Sequence, residues 1–523
     1  MEIKNKKVAT YILLTLIIAL GFFLRVYNIS SAPPGLYPDE AVNGTDALQA
    51  NDTGEYQWFY PANNGREGLF MNIIAMCFKL FGASVLTLKL PSIIFGTLTI
   101  FGTYLLAKEL FGKRVGLISS FLVAVSFWPL HFSRISFRAN MLPFVLVFSF
   151  YYLFKGVRTK KMLDFAIGGL FLGLGLHTYI AFRVTPLILV VALIALIISQ
   201  EKFLKNYWKH VVVFIVFTFL TAAPMLYTFF YAHPEYWASR TSEISILNPV
   251  TNQGHFLSTF AKTFGLSLAK YNFWGDQNWR HNYPPYPLLD PIAGTAFLFG
   301  FIYMIIKSFH LLYLRFAKKI RDEKFAIYIT LLAWFFAMLV PEFMGAEGNP
   351  HALRSIGTLP AVFILAGFAF NYFIGLSERK NFKLVHFTAP FVIVMLIAIG
   401  MFNPIKYFFF WAKTPEAAQA FEKTMTNMQR YIQTMPPQKE IFVAVGNMQR
   451  VPVRFWNWKN PNFHDLNPEE ISSINPKDAD NFVVVFTDLE KDSIINNIET
   501  RFPGIKFQEF SDQFGMKFYV LTK

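Results

Sequence analysis

Two adjacent carboxylates, Asp39 and Glu40, stand in the first polar segment of the chain, where they could act as acid or base. Residues 11–24 before them are mostly aliphatic or aromatic, and the prolines around them interrupt helix and fix the backbone. Arg66 and Glu67 then add a cation and another acid just before the chain becomes apolar again. A positioned carboxylate can serve as a general base. The alternative is that Asp39 caps a short helix at the membrane edge, a common role for aspartate.

The composition indicates that membrane-spanning helices position these residues. Of 523 residues, 54% are hydrophobic and 15% charged, whereas soluble proteins carry about 25% charged residues. The apolar residues form runs of about 20, the length that crosses a bilayer as a helix. The predicted spans are residues 8–26, 86–111, 115–130, 141–156, 163–179, 184–198, 211–230, 291–312, 325–340, 356–373 and 384–402. The sequence therefore predicts a polytopic α-helical membrane protein with about eleven transmembrane helices and an interfacial helix near residues 69–81.

The cations indicate the orientation of these spans. The formal charge of +15 is concentrated in short loops between apolar runs, so it sets topology and does not indicate binding to nucleic acid. Every second loop is basic, starting from the N-terminus: residues 4–7, 113–114, 155–161, 202–209, 315–324 and 379–383. We expect an integral protein of the plasma membrane, embedded among membrane lipids, with its N-terminus in the cytoplasm. An odd number of spans then places the C-terminal segment outside.

A change of composition after residue 410 predicts a second domain. Residues 1–411 form the predicted transmembrane domain, including outside loops at 27–68 and 231–290, and residues 412–523 form a small extracytoplasmic α/β domain. Thr414, followed by proline and an acid, is typical of a helix start, and this helix is expected to reach residue 433. The predicted strands are 440–445, 481–487 and 516–521, with a helix at 488–500.

Arg134 and Arg138 lie four residues apart in a predicted outside loop. On a helix they would share one face, and guanidinium groups bind phosphate with matched geometry. Ionisable residues at span ends are costly in apolar surroundings, which makes them candidates for function. The alternative is a pair of arginines that anchor a helix end.

A second cluster of polar residues follows a glycine-containing apolar run. His177, Tyr179 and Arg183 line the predicted outside turn between two spans, and Gly173 and Gly175 let neighbouring helices approach closely. The glycines lack the strand and loop of a nucleotide-binding motif. His177 is as well explained by a structural role as by contact with a substrate.

A third cluster, Glu347, His351 and Arg354, lies in the last predicted outside turn. No repeated ligand spacing indicates a metal site there, and a solvated polar turn in which Pro350 starts the next helix explains much of the pattern. Arg354 on the outside is harder to explain in this way, because outside loops disfavour cations.

These residues together resemble a known family. Residues 89–112 read KLPSIIFGTLTIFGTYLLAKELFG, and with the Asp-Glu loop and the interfacial helix they resemble the GT-C glycosyltransferases of the protein O-mannosyltransferase and aminoarabinose-transferase group. The likeness is clearest over residues 24–154 and extends more loosely to residue 402. His131 to Arg138 (HFSRISFR) and Pro350 to Arg354 (PHALR) are similar to stretches found in bacterial branches of that group.

The resemblance implies a polyprenyl-phosphate sugar as donor and transfer to an acceptor on the outer face, where the acceptor is a protein, lipid or glycan. It implies that Asp39 is the general base, with Glu40 as its neighbour in the acid pair. Arg66, Arg134, Arg138 or Arg354 would stabilise the leaving phosphate. No metal ligands are assigned; some members of the group use a divalent metal ion and others do not.

Two features depart from the group. Arg66-Glu67-Gly68 stands where the group often has His-Pro-Pro or Glu-Lys-Pro, and Asn140 stands where many members have aspartate. These differences leave the phosphate ligands, and any second acid, open.

Two other classes of protein compete with this interpretation. A transporter or flippase for lipid or glycan would explain many spans, but transporters tend to place charges at the bilayer midplane and to show repeats. A receptor whose C-terminal domain binds a ligand is the other alternative. Release of lipid phosphate from a polyprenyl-phosphate sugar would distinguish the transferase from both.

Overall fold

The computed structural model describes residues 2–62, 65–237, 244–376 and 387–523, with side chains described from residue 8 onward. Within these residues, nine helices are long and apolar enough to cross a membrane. They are Val8–Val26, Val85–Phe111, Arg138–Thr159, Ile180–Ser199, Phe203–Ala232, Pro291–Ala317, Lys324–Phe343, Ile356–Leu376 and Thr388–Lys413. The predicted class, a polytopic helical membrane protein with a small sheet-containing part near the C-terminus, is confirmed. The predicted inner loop at 379–383 and the start of the last predicted span lie outside the described residues.

Two of the predicted spans correspond to shorter helices. Residues 115–130 form the helices Lys113–Val125 and Phe127–Phe132, because Ser126 adopts an extended backbone and Pro129 has no N–H with which to continue the hydrogen-bond ladder. Residues 163–179 form Met162–Leu174, which continues as a 3₁₀ turn to His177. Nine of the described helices thus have membrane length, and the other two predicted spans are apolar helices that are shorter than this length.

The described chain forms two compact units. The first contains Met1–Tyr27, Gln57–Phe70 and Ser92–Tyr407, and the second contains Asn28–Tyr56, Met71–Pro91 and Phe408–Lys523. Two N-terminal segments thus belong to the same unit as the C-terminal α/β part. The expected domain boundary between residues 411 and 412 stays a prediction.

Where the structure describes it, the regular elements of the first unit are helices, one short hairpin and an isolated β-bridge between Ser245 and Gly345. In the hairpin, β1 (Phe59–Tyr60) pairs antiparallel with β2 (Arg66–Glu67). Its helices are Glu2–Val26, Lys113–Val125, Phe127–Phe132, Met141–Thr159, Met162–Leu174, Thr185–Ser199, Phe203–Tyr227, Pro249–Asn252, Phe256–Ala269, Pro291–Ala317, Lys324–Phe343, Leu359–Leu376 and Thr388–Ile405. The helices Leu69–Phe81 and Val85–Phe111 have residues in both units.

Local sequence explains how several of these helices start and pack. Asp290 caps Pro291–Ala317 by accepting hydrogen bonds from the N–H groups of Ile292 and Ala293, and proline suits the first helical position. A Cβ on Gly173 would lie 2.1 Å from the carbonyl oxygen of Thr218. The close helix approach predicted for this glycine is confirmed.

The second unit contains a five-stranded sheet with strand order β4-β3-β5-β7-β6. The strands are β3 (Glu440–Ala444), β4 (Phe463–Leu466), β5 (Phe482–Phe486), β6 (Lys506–Ser511) and β7 (Lys517–Thr522). Strands β4, β3 and β5 run parallel, whereas β7 is antiparallel to β5 and to β6. Its helices are Pro38–Thr53, Pro415–Ala420, Lys423–Ile432, Asn447–Trp456 and Lys491–Arg501.

Buried apolar strands made this part of the fold predictable. The three predicted strands correspond to β3, β5 and β7, and β3 and β5 are buried along their whole length. The edge strands β4 and β6 were missed, because their residues are partly or largely exposed and polar. The helix expected over residues 414–433 is two helices, separated at Glu422, whose φ of 49° does not continue a helix.

Candidate active site

Glu67 and Arg138 form a buried ion pair at the centre of the candidate site in the first unit. The Nε of Arg138 donates to Oε2 of Glu67 at 2.6 Å, and the two side chains are 11% and 3% exposed. The guanidinium lies 5.6 Å from the ring centroid of Tyr179. Strand β2 supplies the acid, and the 3₁₀ turn Arg138–Asn140 supplies the cation.

His177 and Arg183 lie close enough to Glu67 to interact with it electrostatically. The Nε2 of His177 contacts the carbonyl oxygen of Thr221 at 2.8 Å. The guanidinium of Arg183 donates to the carbonyl oxygen of Trp237 and lies 4.3 Å from the centroid of that indole ring. The hairpin and the turn around residue 180 therefore bring the predicted residues Glu67, Arg138, His177, Tyr179 and Arg183 together.

A cavity of about 200 Å³ opens beside this group. Tyr179, Arg183 and Arg354 line it. The rest of the wall is largely apolar and includes Ile180, Val184, Ile244, Val340, Pro341 and Met344. Cations set into an apolar wall suit a ligand that joins an anionic group to a hydrocarbon chain.

Arg354 reaches this cavity while bonded to an exposed loop. Its Nη1 donates to the carbonyl oxygen of Glu347 at 2.7 Å, and its Nη2 lies 3.2 Å from a carboxylate oxygen of the same residue. The side chain of Glu347 is 76% exposed. The structure therefore brings predicted residues from the second and third polar clusters to one cavity.

His351 belongs to a neighbouring group that includes two residues not predicted for the site, Asp276 and His281. The Oδ2 of Asp276 lies 3.1 Å from Nδ1 of His281 and 4.0 Å from Nδ1 of His351. One ligand atom from each residue lies within 4.8 Å of the others. Burial first, and then the charges of His281, Arg354, Arg280 and Lys270, hold the pKa of His351 well below its ordinary value. A neutral imidazole is the form that binds metal.

These three residues fit a divalent metal ion in their chemistry and spacing. Two imidazoles and a carboxylate are a common set for zinc, and ligands about 2.0–2.1 Å from the ion lie roughly 3.4 Å apart in a tetrahedral site. No metal-ligand spacing is visible in the sequence, because Asp276 and His281 are about seventy residues from His351 and meet it only through the fold.

The other predicted residues of the first unit have structural contacts. Arg134 is fully buried, its Nη1 donates to the carbonyl oxygen of Leu24 at 2.6 Å, and its guanidinium lies 5.4 Å from the ring centroid of Tyr407. These contacts favour the interpretation of Arg134 as an anchor. Arg66 is 3% exposed and donates from Nε to the carbonyl oxygen of Ala62.

Asp39 and Glu40 belong to the second unit, in the first turn of helix Pro38–Thr53. Tyr37, and not Asp39, is the N-cap residue, so the capping alternative for Asp39 does not describe this helix. Asp39 is partly exposed. Glu40 is fully buried, and its Oε2 lies 3.7 Å from the ammonium of Lys89.

Comparison with known proteins identifies the fold class. Residues 69–227 match the sequence profile of the family described as dolichyl-phosphate-mannose-protein mannosyltransferase. The chain aligns over 98% of its length with the solved structure of ArnT from Cupriavidus metallidurans bound to undecaprenyl phosphate, covering 97% of that chain with a TM-score of 0.53 at 11% identity. The chain also aligns with the archaeal oligosaccharyltransferase AglB from Archaeoglobus fulgidus, which was solved with an inhibitory peptide and a dolichol-phosphate. That alignment has a TM-score of 0.53 at 14% identity and covers 98% of this chain and 74% of AglB. The predicted resemblance to GT-C proteins is confirmed for the fold.

One relative is more similar in sequence. The putative mannosyltransferase YkcB of Bacillus subtilis (strain 168) is 27% identical over 206 residues, which are 37% of this chain. The aligned part of the chain spans 27% of the length of YkcB.

Proposed function

We propose that this protein is a membrane glycosyltransferase that moves a sugar from a polyprenyl-phosphate donor to a hydroxyl group of an acceptor outside the cytoplasm. The observation that carries the proposal is the cavity in the first unit, in which Arg183 and Arg354 lie among apolar side chains. The fold shared with ArnT, solved with undecaprenyl phosphate, supports the same class of donor.

In this proposal Arg183 and Arg354 bind the phosphate of the lipid. A guanidinium offers paired N–H donors to phosphate oxygens, and these charge-assisted bonds strengthen as the leaving phosphate gains charge during transfer. The apolar wall contacts the first isoprene units. Arg138, already bonded to the buried Glu67, orients the Tyr179 side of the cavity. His177, held by its contact with Thr221, supports the same wall.

We assign the role of general base to Asp39. It would take the proton of the acceptor hydroxyl as the bond from the sugar to the lipid phosphate breaks. It lies in the first turn of helix Pro38–Thr53, where the helix N-terminus interacts favourably with negative charge. Glu40 is buried beside Lys89, which supports a positioning role rather than contact with the acceptor.

The assay is release of lipid phosphate when the purified protein is incubated with a panel of polyprenyl-phosphate sugars. We expect Arg183→Gln and Arg354→Gln each to lower kcat/KM by about 10²-fold, the usual effect of removing one donor to developing charge. Arg158→Gln is the matched control, because Arg158 is 63% exposed and pairs with Glu109. We expect Asp39→Asn to abolish transfer while the protein still folds.

Two outcomes would overturn the proposal. Movement of a lipid-linked sugar across vesicles without release of lipid phosphate would identify a flippase. Full activity of the Asp39→Asn variant would remove the base assignment and leave the phosphate site to be judged by the arginine variants alone.

We further infer that Asp276, His281 and His351 hold a divalent metal ion, with zinc as the probe. The ion would fix the loop that carries Arg354, three residues after His351. The test is metal content measured after purification and dialysis against zinc. We expect about one zinc ion per chain, as three protein ligands suffice for one site, with loss of the ion in Asp276→Asn and His281→Ala. His233→Ala is the control, since His233 is exposed and contacts Glu235; equal zinc in all four proteins would refute the site.

A further inference from the structure

The second unit contains a polar cavity in which cations outnumber acids. Its volume is about 410 Å³, and its charged lining residues are Lys413, Lys423, Arg430 and Asp512. Lys423 is only 9% exposed. Among the residues that the structure describes, its ammonium has no hydrogen bond or ion pair. A largely buried lysine without a bonded partner is uncommon in proteins, because burial shields part of its charge from water.

Asp512 is the one acid among the described residues of this lining, and its single charge does not balance the three cations. Its carboxylate also holds a turn. Oδ2 accepts from the side-chain amide of Asn427 at 2.8 Å, and Oδ1 accepts from the N–H groups of Phe514 and Met516. Burial, followed by the charge of Arg430, lowers the pKa of Lys423, and Asp512 acts weakly in the opposite direction. An anion bound in the cavity would therefore offset both the burial of Lys423 and its repulsion by Arg430.

The remaining lining is suited to an oxyanion. Ser31, Asn427 and Gln513 supply hydroxyl and amide groups beside the cations. Arg430 has no ion pair with any residue in the described part of the chain, so its guanidinium is available to bind a pair of oxygens. A phosphate group carries up to two charges and several strong acceptor oxygens at neutral pH, which matches three cations better than one carboxylate does.

We propose that the cavity lined by Lys413, Lys423 and Arg430 binds a phosphate group. None of its lining residues lines the cavity of Arg183 and Arg354, so this is a separate site from the one proposed for the donor lipid. The phosphate comes either from a soluble or polymeric phosphate ester or from a phospholipid headgroup. The proposal does not depend on transferase activity, because an inactive protein would bind phosphate equally well.

The test measures thermal unfolding of the full-length protein in nanodiscs of phosphatidylcholine, titrated with inorganic phosphate and, separately, with sodium chloride at equal ionic strength. A ligand that binds only the folded state raises the midpoint as its concentration passes the Kd. We expect phosphate to stabilise the wild type more than chloride does. Lys423→Met and Arg430→Gln should each weaken the response by about tenfold or more, since each removes a charge-assisted contact.

Lys517→Met is the matched control, because Lys517 lies in the same unit, pairs with Glu509 and does not line the cavity. A distinctive expectation is that Lys423→Met without phosphate unfolds at a temperature equal to or above that of the wild type, since it removes a largely buried lysine that is repelled by Arg430. If Lys423→Met fails to fold, Arg430→Gln still decides the question, because Arg430 is exposed.

A second set of nanodiscs containing phosphatidylglycerol distinguishes the sources of phosphate. Stabilisation by this lipid in the wild type, lost in both cavity variants, would support the site with a headgroup as its ligand. Stabilisation by free phosphate alone, lost in the same variants, would support it with a soluble or polymeric phosphate ester. The proposal is overturned if neither free phosphate nor phosphatidylglycerol stabilises the wild type beyond its control, or if the cavity variants respond to both as the wild type does.

Discussion

The substitution Glu342→Gln tests the packing that holds the loop of His351. The ammonium of Lys270 lies 2.5 Å from Oε2 of Glu342, and both side chains are fully buried. The same ammonium donates to the carbonyl oxygen of Ser267 at 3.0 Å. The other carboxylate oxygen of Glu342 accepts from the N–H of His351 at 3.0 Å. One acid thus joins the end of a membrane-spanning helix to a buried cation and to the candidate metal loop.

The expected loss follows from the burial of both partners. Glutamine keeps an oxygen for the N–H of His351 but leaves Lys270 charged and uncompensated. Breaking a fully buried pair in this way costs about 3–5 kcal/mol, whereas replacing both partners with neutral groups of similar volume is often nearly neutral. We therefore expect Glu342→Gln to lower the free energy of unfolding by about 3–5 kcal/mol. Adding Lys270→Met should recover most of that loss.

The pH dependence provides an independent check. Burial lowers the pKa of Lys270, and Glu342 opposes this shift, so the variant's folded-state pKa lies lower still. Between that value and the ordinary pKa of about 10.4, the unfolded chain binds more protons than the folded chain, so stability rises with pH. The variant's deficit relative to the wild type is thus full below the variant's folded-state pKa of Lys270, and it shrinks as pH rises from that value to the folded-state pKa of Lys270 in the wild type.

The assay is denaturant unfolding in detergent at several pH values for the wild type, the single variant and the double variant. Equal stability of Glu342→Gln and the wild type would refute the account of the pair. A deficit that the double variant fails to recover would show that Glu342 acts through His351 and not through Lys270.

Two further predictions concern other contacts. A Cβ on Gly367 would lie 2.1 Å from the Oγ of Ser119, whereas a Cβ on Gly375 in the same helix would meet nothing within 4 Å. We therefore expect Gly367→Ala to lower the thermal unfolding midpoint and Gly375→Ala to leave it unchanged or raise it. Equal effects of the two substitutions would contradict the helix packing. Arg134→Lys should lower the thermal unfolding midpoint, because Arg134 contacts Leu24 and Tyr407, while the folded fraction keeps its transfer rate. Loss of the transfer rate at unchanged stability would instead identify Arg134 as a substrate ligand.

The sequence predicted those parts of the fold that depend on local pattern. Long apolar runs defined the nine membrane-length helices, and buried β-branched runs defined β3 and β5, because both signals come from adjacent residues. The break at Ser126 escaped prediction, because the apolar pattern continues through it. For the candidate site, residue types at span ends indicated Arg183 and Arg354. Asp276, which meets His351 only through tertiary structure, gave no such signal.

The partners of Arg138, Arg183 and Arg354 decide which of these three arginines of the candidate site can bind a ligand. Arg138 is bonded to Glu67 in a buried pair, and exchanging that partner would leave a carboxylate buried and unpaired, a costly state. Arg354 is bonded to Glu347, which is mostly exposed, and a pair with one such partner contributes about 0–1 kcal/mol. Arg183 donates to a neutral carbonyl oxygen, so no acid has to be displaced. Under the proposed function, a phosphate would therefore recruit Arg183 and Arg354 at small cost, whereas Arg138 would stay bonded to Glu67 and hold Tyr179 in place.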